Sequence, residues 1–166
     1  MRISLGAASL VIALISSVPA IAATSGMVSG QGALSSDPRR NFSVSAKINA
    51  DGTATGHATL VNKAFTGENG KAPYLLKLDI SCGKMVDANT AIFGGTIART
   101  NDPSLVDTVY FSVQDNGEPG KGTDKISRAF FFDDDPATTG DPALCLGATL
   151  ADLPLETIVS GNVNVR

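Results

Sequence analysis

Apolar and polar residues alternate along most of this chain with a period of two, in short runs separated by turn-forming residues. Phe42, Val44, Ala46 and Ile48 alternate with Ser43, Ser45, Lys47 and Asn49, which predicts a strand with one face on a core. Ala50-Asp51-Gly52 turns the chain. Thr53 to Val61 then sets Ala54, Gly56, Ala58 and Leu60 opposite Thr53, Thr55, His57 and Thr59, so the two runs are expected to form a hairpin. After a polar loop from Asn62 to Pro73, Tyr74, Leu76, Leu78, Ile80 and Cys82 alternate with Leu75, Lys77, Asp79 and Ser81. Thr90 to Arg99 is a further strand, interrupted by Gly94-Gly95, a pair that marks a bulge or sharp bend. Val109, Phe111 and Val113 alternate with Tyr110, Ser112 and Gln114; Ile126 to Phe132 and Ile158 to Val165 complete the set, and a Gly-rich segment from Ser25 to Leu34 opens it.

No helical stripe is sustained anywhere, so nothing could serve as a crossover between parallel strands. The pattern predicts an all-β fold, a small antiparallel β-barrel of about eight strands, with a two-sheet β-sandwich as the alternative. Gly56, Gly94 and Gly95 suit the tight curvature of a small closed sheet and favour the barrel. The last run carries Val159, Val163 and Val165 on one face around Gly161. Pairing it with the first strand would remove both open edges. A lipid-facing barrel fits the sequence poorly: aromatics are 5% of residues, Trp is absent, the chain ends in Arg166, and most predicted strands fall short of the roughly 9–11 residues that span a bilayer.

The first 22 residues read as a secretory leader. Arg2 gives a positive start, Ile3 to Val18 carry no charge, and Ala20-Ile21-Ala22 is the small-x-small pattern that signal peptidase reads. Cleavage after Ala22 would leave residues 23–166 as one exported all-β domain, periplasmic or secreted, with no membrane span. Losing Arg2 takes the basic count from 13 to 12 against 16 acids, a net charge of −4. That balance argues against nucleic-acid binding. Cys82 and Cys145 are the only cysteines, and in an exported chain two such residues pair.

Chemistry is sparsely marked. Asp115-Asn116-Gly117-Glu118-Pro119-Gly120 with Asp124 places acidic oxygens along a glycine-containing loop, which makes Asp115, Glu118 and Asp124 candidate Ca²⁺ ligands. The spacing departs from the EF-hand pattern, and Asn-Gly and Pro-Gly are turn formers, so a plain structural loop is the simpler reading and no cofactor is required. Asp133-Asp134-Asp135 behind Phe130-Phe131-Phe132 reads as a solvated strand end; Phe131 is expected to face opposite its two neighbours, toward the outside of the sheet. His57, the only histidine, lies on a polar strand face with no G-x-S-x-G elbow. Asn41-Phe42-Ser43 fits a glycosylation sequon that matters only in a eukaryotic secretory pathway. A carboxylate pair of glycosidase type remains compatible with the sequence.

The stretches Asp51-Gly52-Thr53-Ala54-Thr55-Gly56, Asp79-Ile80-Ser81-Cys82, Phe93-Gly94-Gly95-Thr96-Ile97, Val113 to Gly120 (V-x-D-N-G-E-P-G) and Ser160-Gly161-Asn162-Val163 (S-G-N-V) resemble exported bacterial all-β domains of uncharacterised function, some of them modules of larger surface proteins. The resemblance implies an exported β domain framed by glycine-rich turns and carries no catalytic residues across. The long segment Phe131 to Leu144 departs from that pattern. The expected function is therefore a non-catalytic binding or structural module of the bacterial envelope, with an envelope or extracellular partner or a small apolar ligand at a barrel mouth. The alternative is a secreted hydrolase acting through carboxylates.

Overall fold

The computed structural model describes residues 24–34, 40–63, 74–102, 107–117, 123–131 and 140–166. The leader, Glu118, Phe132 and the acidic run 133–135 lie outside the described residues. Eight strands follow in chain order: β1 (Gly26–Leu34), β2 (Arg40–Ile48), β3 (Thr53–Asn62), β4 (Tyr74–Asp87), β5 (Thr90–Thr100), β6 (Thr108–Gln114), β7 (Lys125–Ser127) and β8 (Leu155–Val165). Each pairs antiparallel with the next, and β8 returns to β1, closing the barrel. Closure removes the sandwich alternative.

Alternation builds the interior as the sequence predicts over β2, β3 and the first half of β4. Phe42, Val44, Ala46, Ile48, Ala54, Ala58, Leu76, Leu78 and Ile80 are all buried in one core. Phe93 and Phe111 stack at its centre, ring centroids 5.3 Å apart. The β2–β3 hairpin also forms, from Arg40↔Asn62 to Ile48↔Ala54. At its tip Asp51 Oδ1 accepts from the Thr53 amide at 2.9 Å and the Thr53 hydroxyl at 2.6 Å. Those bonds stabilise the ionised form and hold the Asp51 carboxyl below its ordinary value.

Bulges change which residues face inward. In β4, Ile80 pairs with Gly95 while Cys82 pairs with Gly94, so Ser81 is an extra residue opposite the Gly-Gly pair. One inserted residue reverses the pleat. Cys82 therefore leaves the face it shares by spacing with Leu76, Leu78 and Ile80 and points outward. A second shift, between Ala33↔Ser160 and Leu34↔Ile158, loops out Val159. Ile158 and Val163 are buried as a result, and Val159, expected inside, is 51% exposed. Gly161, at φ +100° opposite Gly32, sits where a Cβ would run into the Gln31 carbonyl.

The bulged face of β4 creates a second, external core. A strap from Asp141 to Leu153, including the 3-10 helix Pro142–Leu146, lies against the outside of β4, β5 and β6. It buries Cys82, Ile92, Tyr110, Cys145, Ala148 and Leu153 together. Gly94 permits this approach, since a Cβ there would lie 2.5 Å from the Pro142 carbonyl oxygen. Tyr110 Oη donates to the Asp141 carbonyl at 2.7 Å, and Ser112 Oγ to the Leu153 carbonyl at 2.8 Å. Lys84 Nζ donates to the Leu146 and Ala148 carbonyls at 2.7 and 2.6 Å.

Three further expectations are corrected. Among the described residues of the run Ile126 to Phe132 the strand covers only Lys125–Ser127, after which Phe130 makes an isolated bridge to Tyr110. Phe131 does face opposite Phe130, but in the reverse sense: Phe131 packs on the barrel core and Phe130 on the external one. Three strands are longer than expected: β4 runs for 14 residues and β5 and β8 for 11 each. Bulges let a strand continue past the point where its alternation breaks.

Candidate functional site at the barrel mouth

Up-and-down connectivity puts the end of β1, the start of β2, the end of β3, the start of β4 and the chain after β7 at one end of the barrel. There they surround a cavity of about 450 Å³. Leu34, Leu60, Val61, Leu76, Ala129 and Phe131 supply its apolar wall. The stacked Phe93 and Phe111, fully buried, belong to the barrel core. An eight-stranded barrel has room for side chains or one small ligand.

Two arginines, Arg40 and Arg128, line the cavity beside the apolar wall. Arg40 grips Glu156 with both terminal nitrogens, Nη2 to Oε2 at 2.8 Å and Nη1 to Oε1 at 3.4 Å. Arg128 Nε donates to the same Oε1. Burial pushes the Glu156 carboxyl up, but the hydrogen bonds and attraction of the two guanidiniums outweigh it and leave the group below its ordinary value. Both arginines contact Glu156, and both line the cavity while Glu156 does not.

Of the candidate calcium ligands, Asp115 and Asp124 lie away from this cavity and have another role. Asp124 is buried; its Oδ1 accepts from the Asn116 amide at 2.9 Å and its Oδ2 from the Val163 amide at 3.0 Å. Asp115 Oδ1 accepts from the Gly117 amide at 2.9 Å and Oδ2 from the Val165 amide at 3.0 Å. Because β7 is three residues long and reaches only Leu155–Thr157, the remaining β8 amides on that side meet no described strand. The carboxylates of Asp115 and Asp124 stand in for it. Among the described residues no three His, Cys, Asp or Glu side chains gather as a metal-holding group.

Cys82 and Cys145 form a disulfide with Cα atoms 6.2 Å apart, fastening the strap to β4. Both sulfurs belong to the external core, away from the mouth. His57 lies on the outer surface in a cross-strand pair with Asp79, Nδ1 to Oδ1 at 2.9 Å, and both side chains are well exposed. Sequence reasoning missed the mouth residues Arg40, Arg128 and Glu156, since segments far apart in the chain bring them together. Compared with protein-family models, with curated proteins and with solved structures, the chain shows no match.

Proposed function

We propose that this chain is a non-catalytic exported binding or structural module of the bacterial envelope, with a small apolar ligand held at the barrel mouth. The cavity carries the reading: its volume of about 450 Å³ is within the roughly 300–1,000 Å³ of small-molecule sites, and its wall is mostly apolar. The leader pattern in the first 22 residues and a disulfide between the only two cysteines support export, because disulfides persist in oxidising compartments. The resemblance to exported bacterial β domains supports the same compartment. Apolar side chains point into the barrel and Ser43, Ser45, Lys47, Thr55, Lys77 and Asp79 point out, the reverse of a lipid-facing barrel. No described helix is long and apolar enough to cross a membrane.

The hydrolase reading lacks such support. Two carboxylates acting on a glycosidic bond converge across roughly 5–10 Å of a cleft. Among the described residues the cavity wall contains no Asp or Glu, and Glu156 beside it is held by two arginines. The acids of the β6–β7 connection are read as structural, binding Ca²⁺ weakly or not at all. Two measurements test the proposal. Protein recovered from cells should begin at Ala23 on N-terminal sequencing, and a start at Met1 would overturn the export reading. The mature protein should bind the neutral dye Nile red saturably, about tenfold more weakly after Ala129→Phe narrows the mouth; failure to bind it, together with turnover of a glycoside or ester, would favour the hydrolase.

A further inference from the structure

We propose that the mouth cavity takes an amphiphile with an anionic head, of the class of medium-chain carboxylates, its head on Arg128 and its tail among Leu34, Leu60, Leu76 and Phe131. The proposal rests on the mouth-binding reading above and narrows it.

Three observations lead to it. The first is the charge on the cavity wall: among the described residues Arg40 and Arg128 line it and no Asp or Glu does. The second is how the two guanidiniums are used. Arg40 is only 13% exposed and applies both terminal nitrogens to Glu156. Arg128 reaches Glu156 through Nε alone and is 60% exposed. Its two Nη nitrogens make no hydrogen bond to another described residue. An arginine held at Nε by one carboxylate is pinned in orientation yet keeps its terminal fork, the part best matched to a second planar anion. The third is the wall behind it, where Leu34, Leu60, Leu76, Ala129 and Phe131 offer a tail only apolar contact. A neutral apolar molecule would leave the Arg128 terminal fork to water. A carboxylate would meet it at the edge of low-dielectric surroundings, where the attraction is less screened than in bulk water. A cationic head would meet Arg128 and find no carboxylate among the described residues of the wall.

The experiment is a calorimetric titration of the mature, disulfide-intact protein with decanoate, decanol and decyltrimethylammonium, alongside Nile red. Arg128→Gln and Ala129→Phe are compared with the unaltered protein after circular dichroism shows each to be folded. Decanoate is expected to bind at least tenfold more tightly than decanol, and the cationic analogue more weakly still. Arg128→Gln should lower decanoate affinity about tenfold, leave decanol unchanged and flatten the salt dependence, whereas Ala129→Phe should weaken both ligands. If decanol and decanoate bind alike, or Arg128→Gln affects neither, the anionic head is refuted while Nile red binding keeps the mouth reading. If neither the amphiphiles nor Nile red bind, both readings fall.

Discussion

Replacing Asp124 with alanine should open the barrel along the seam between β7 and β8. Past Thr157 the ladder on that side is carried by the Asp124 carbonyl, which accepts from the Ile158 amide at 2.8 Å, and by the carboxylates on the Val163 and Val165 amides at 3.0 Å each. Removing the Asp124 carboxylate leaves the buried Val163 N–H without an acceptor, at about 1–3 kcal/mol, and breaks a charge-assisted bond to the Asn116 N–H, about 1.5–3 kcal/mol more. Water can reach the exposed Asn116, and deleting a buried carboxylate returns part of its desolvation cost. The net loss is therefore about 2–4 kcal/mol. Asp124→Asn keeps the shape and one acceptor but turns an NH₂ toward one of the amides, so it should fall between the two. Asp115→Asn, less buried, should cost about 1 kcal/mol. Urea titrations at neutral pH with the disulfide intact measure these differences, and amide exchange at Val163 and Val165 places them on the seam. An Asp124→Ala variant within about 0.5 kcal/mol of the parent, with Val163 protection unchanged, would refute the account.

Converting both Cys82 and Cys145 to alanine should lower stability by about 4 kcal/mol, the chain-entropy value for closing a loop across 63 positions, less any native strain; a non-reducing peptide map checks the bond itself, and an unchanged urea midpoint would contradict the estimate. Calcium at micromolar concentration should leave the melting temperature where it is, since all four carboxylate oxygens of Asp115 and Asp124 already accept backbone amides; a rise of several degrees that Asp115→Asn abolishes would restore a metal site. Because the Glu156 carboxyl lies below its ordinary value of 4.5, the folded state binds the proton less readily than the unfolded chain. Its stabilisation is present above the unfolded value and lost as pH falls through the folded one, so Glu156→Gln should flatten the fall in melting temperature on acidification below about pH 5. Parallel curves for parent and variant would remove Glu156 from the pH response.

Where one face of a strand was apolar and the other polar, the sequence was a sufficient guide, and β2, β3 and the first half of β4 follow it residue by residue. The Gly94-Gly95 pair also announced its bulge, though not that the extra residue would be Ser81 in the neighbouring strand. Alternation cannot show such an insertion, because the pattern resumes on the opposite face with the same period; Cys82 and Val159 were misplaced for that reason. The external core did leave a trace. Ala91-Ile92-Phe93 and Val109-Tyr110-Phe111 are apolar on both faces, which a one-layer barrel open to water on its outside does not need. The mouth left none, because Arg40, Arg128 and Glu156 belong to three segments whose meeting depends on closure. Asp124 gave no sign of its role at the seam, since Val163, one of its two partner amides, lies on the last strand.

Closure also orders events in time. Val28 pairs with Val165 from opposite ends of the chain, so the barrel cannot be completed until its last strand has been made. Until then β1 has an unsatisfied edge, which is the part of a β protein most prone to pair with a neighbouring molecule. Gly26, Gly30 and Gly32 lie in that strand, and glycine is a weak strand former with no side chain to hold a stranger in place. The strand that waits longest for its partner is thus built to attract few wrong ones. Contacts this distant in sequence also make for slow folding, on the order of milliseconds to seconds, so the waiting period is long by the standards of small domains.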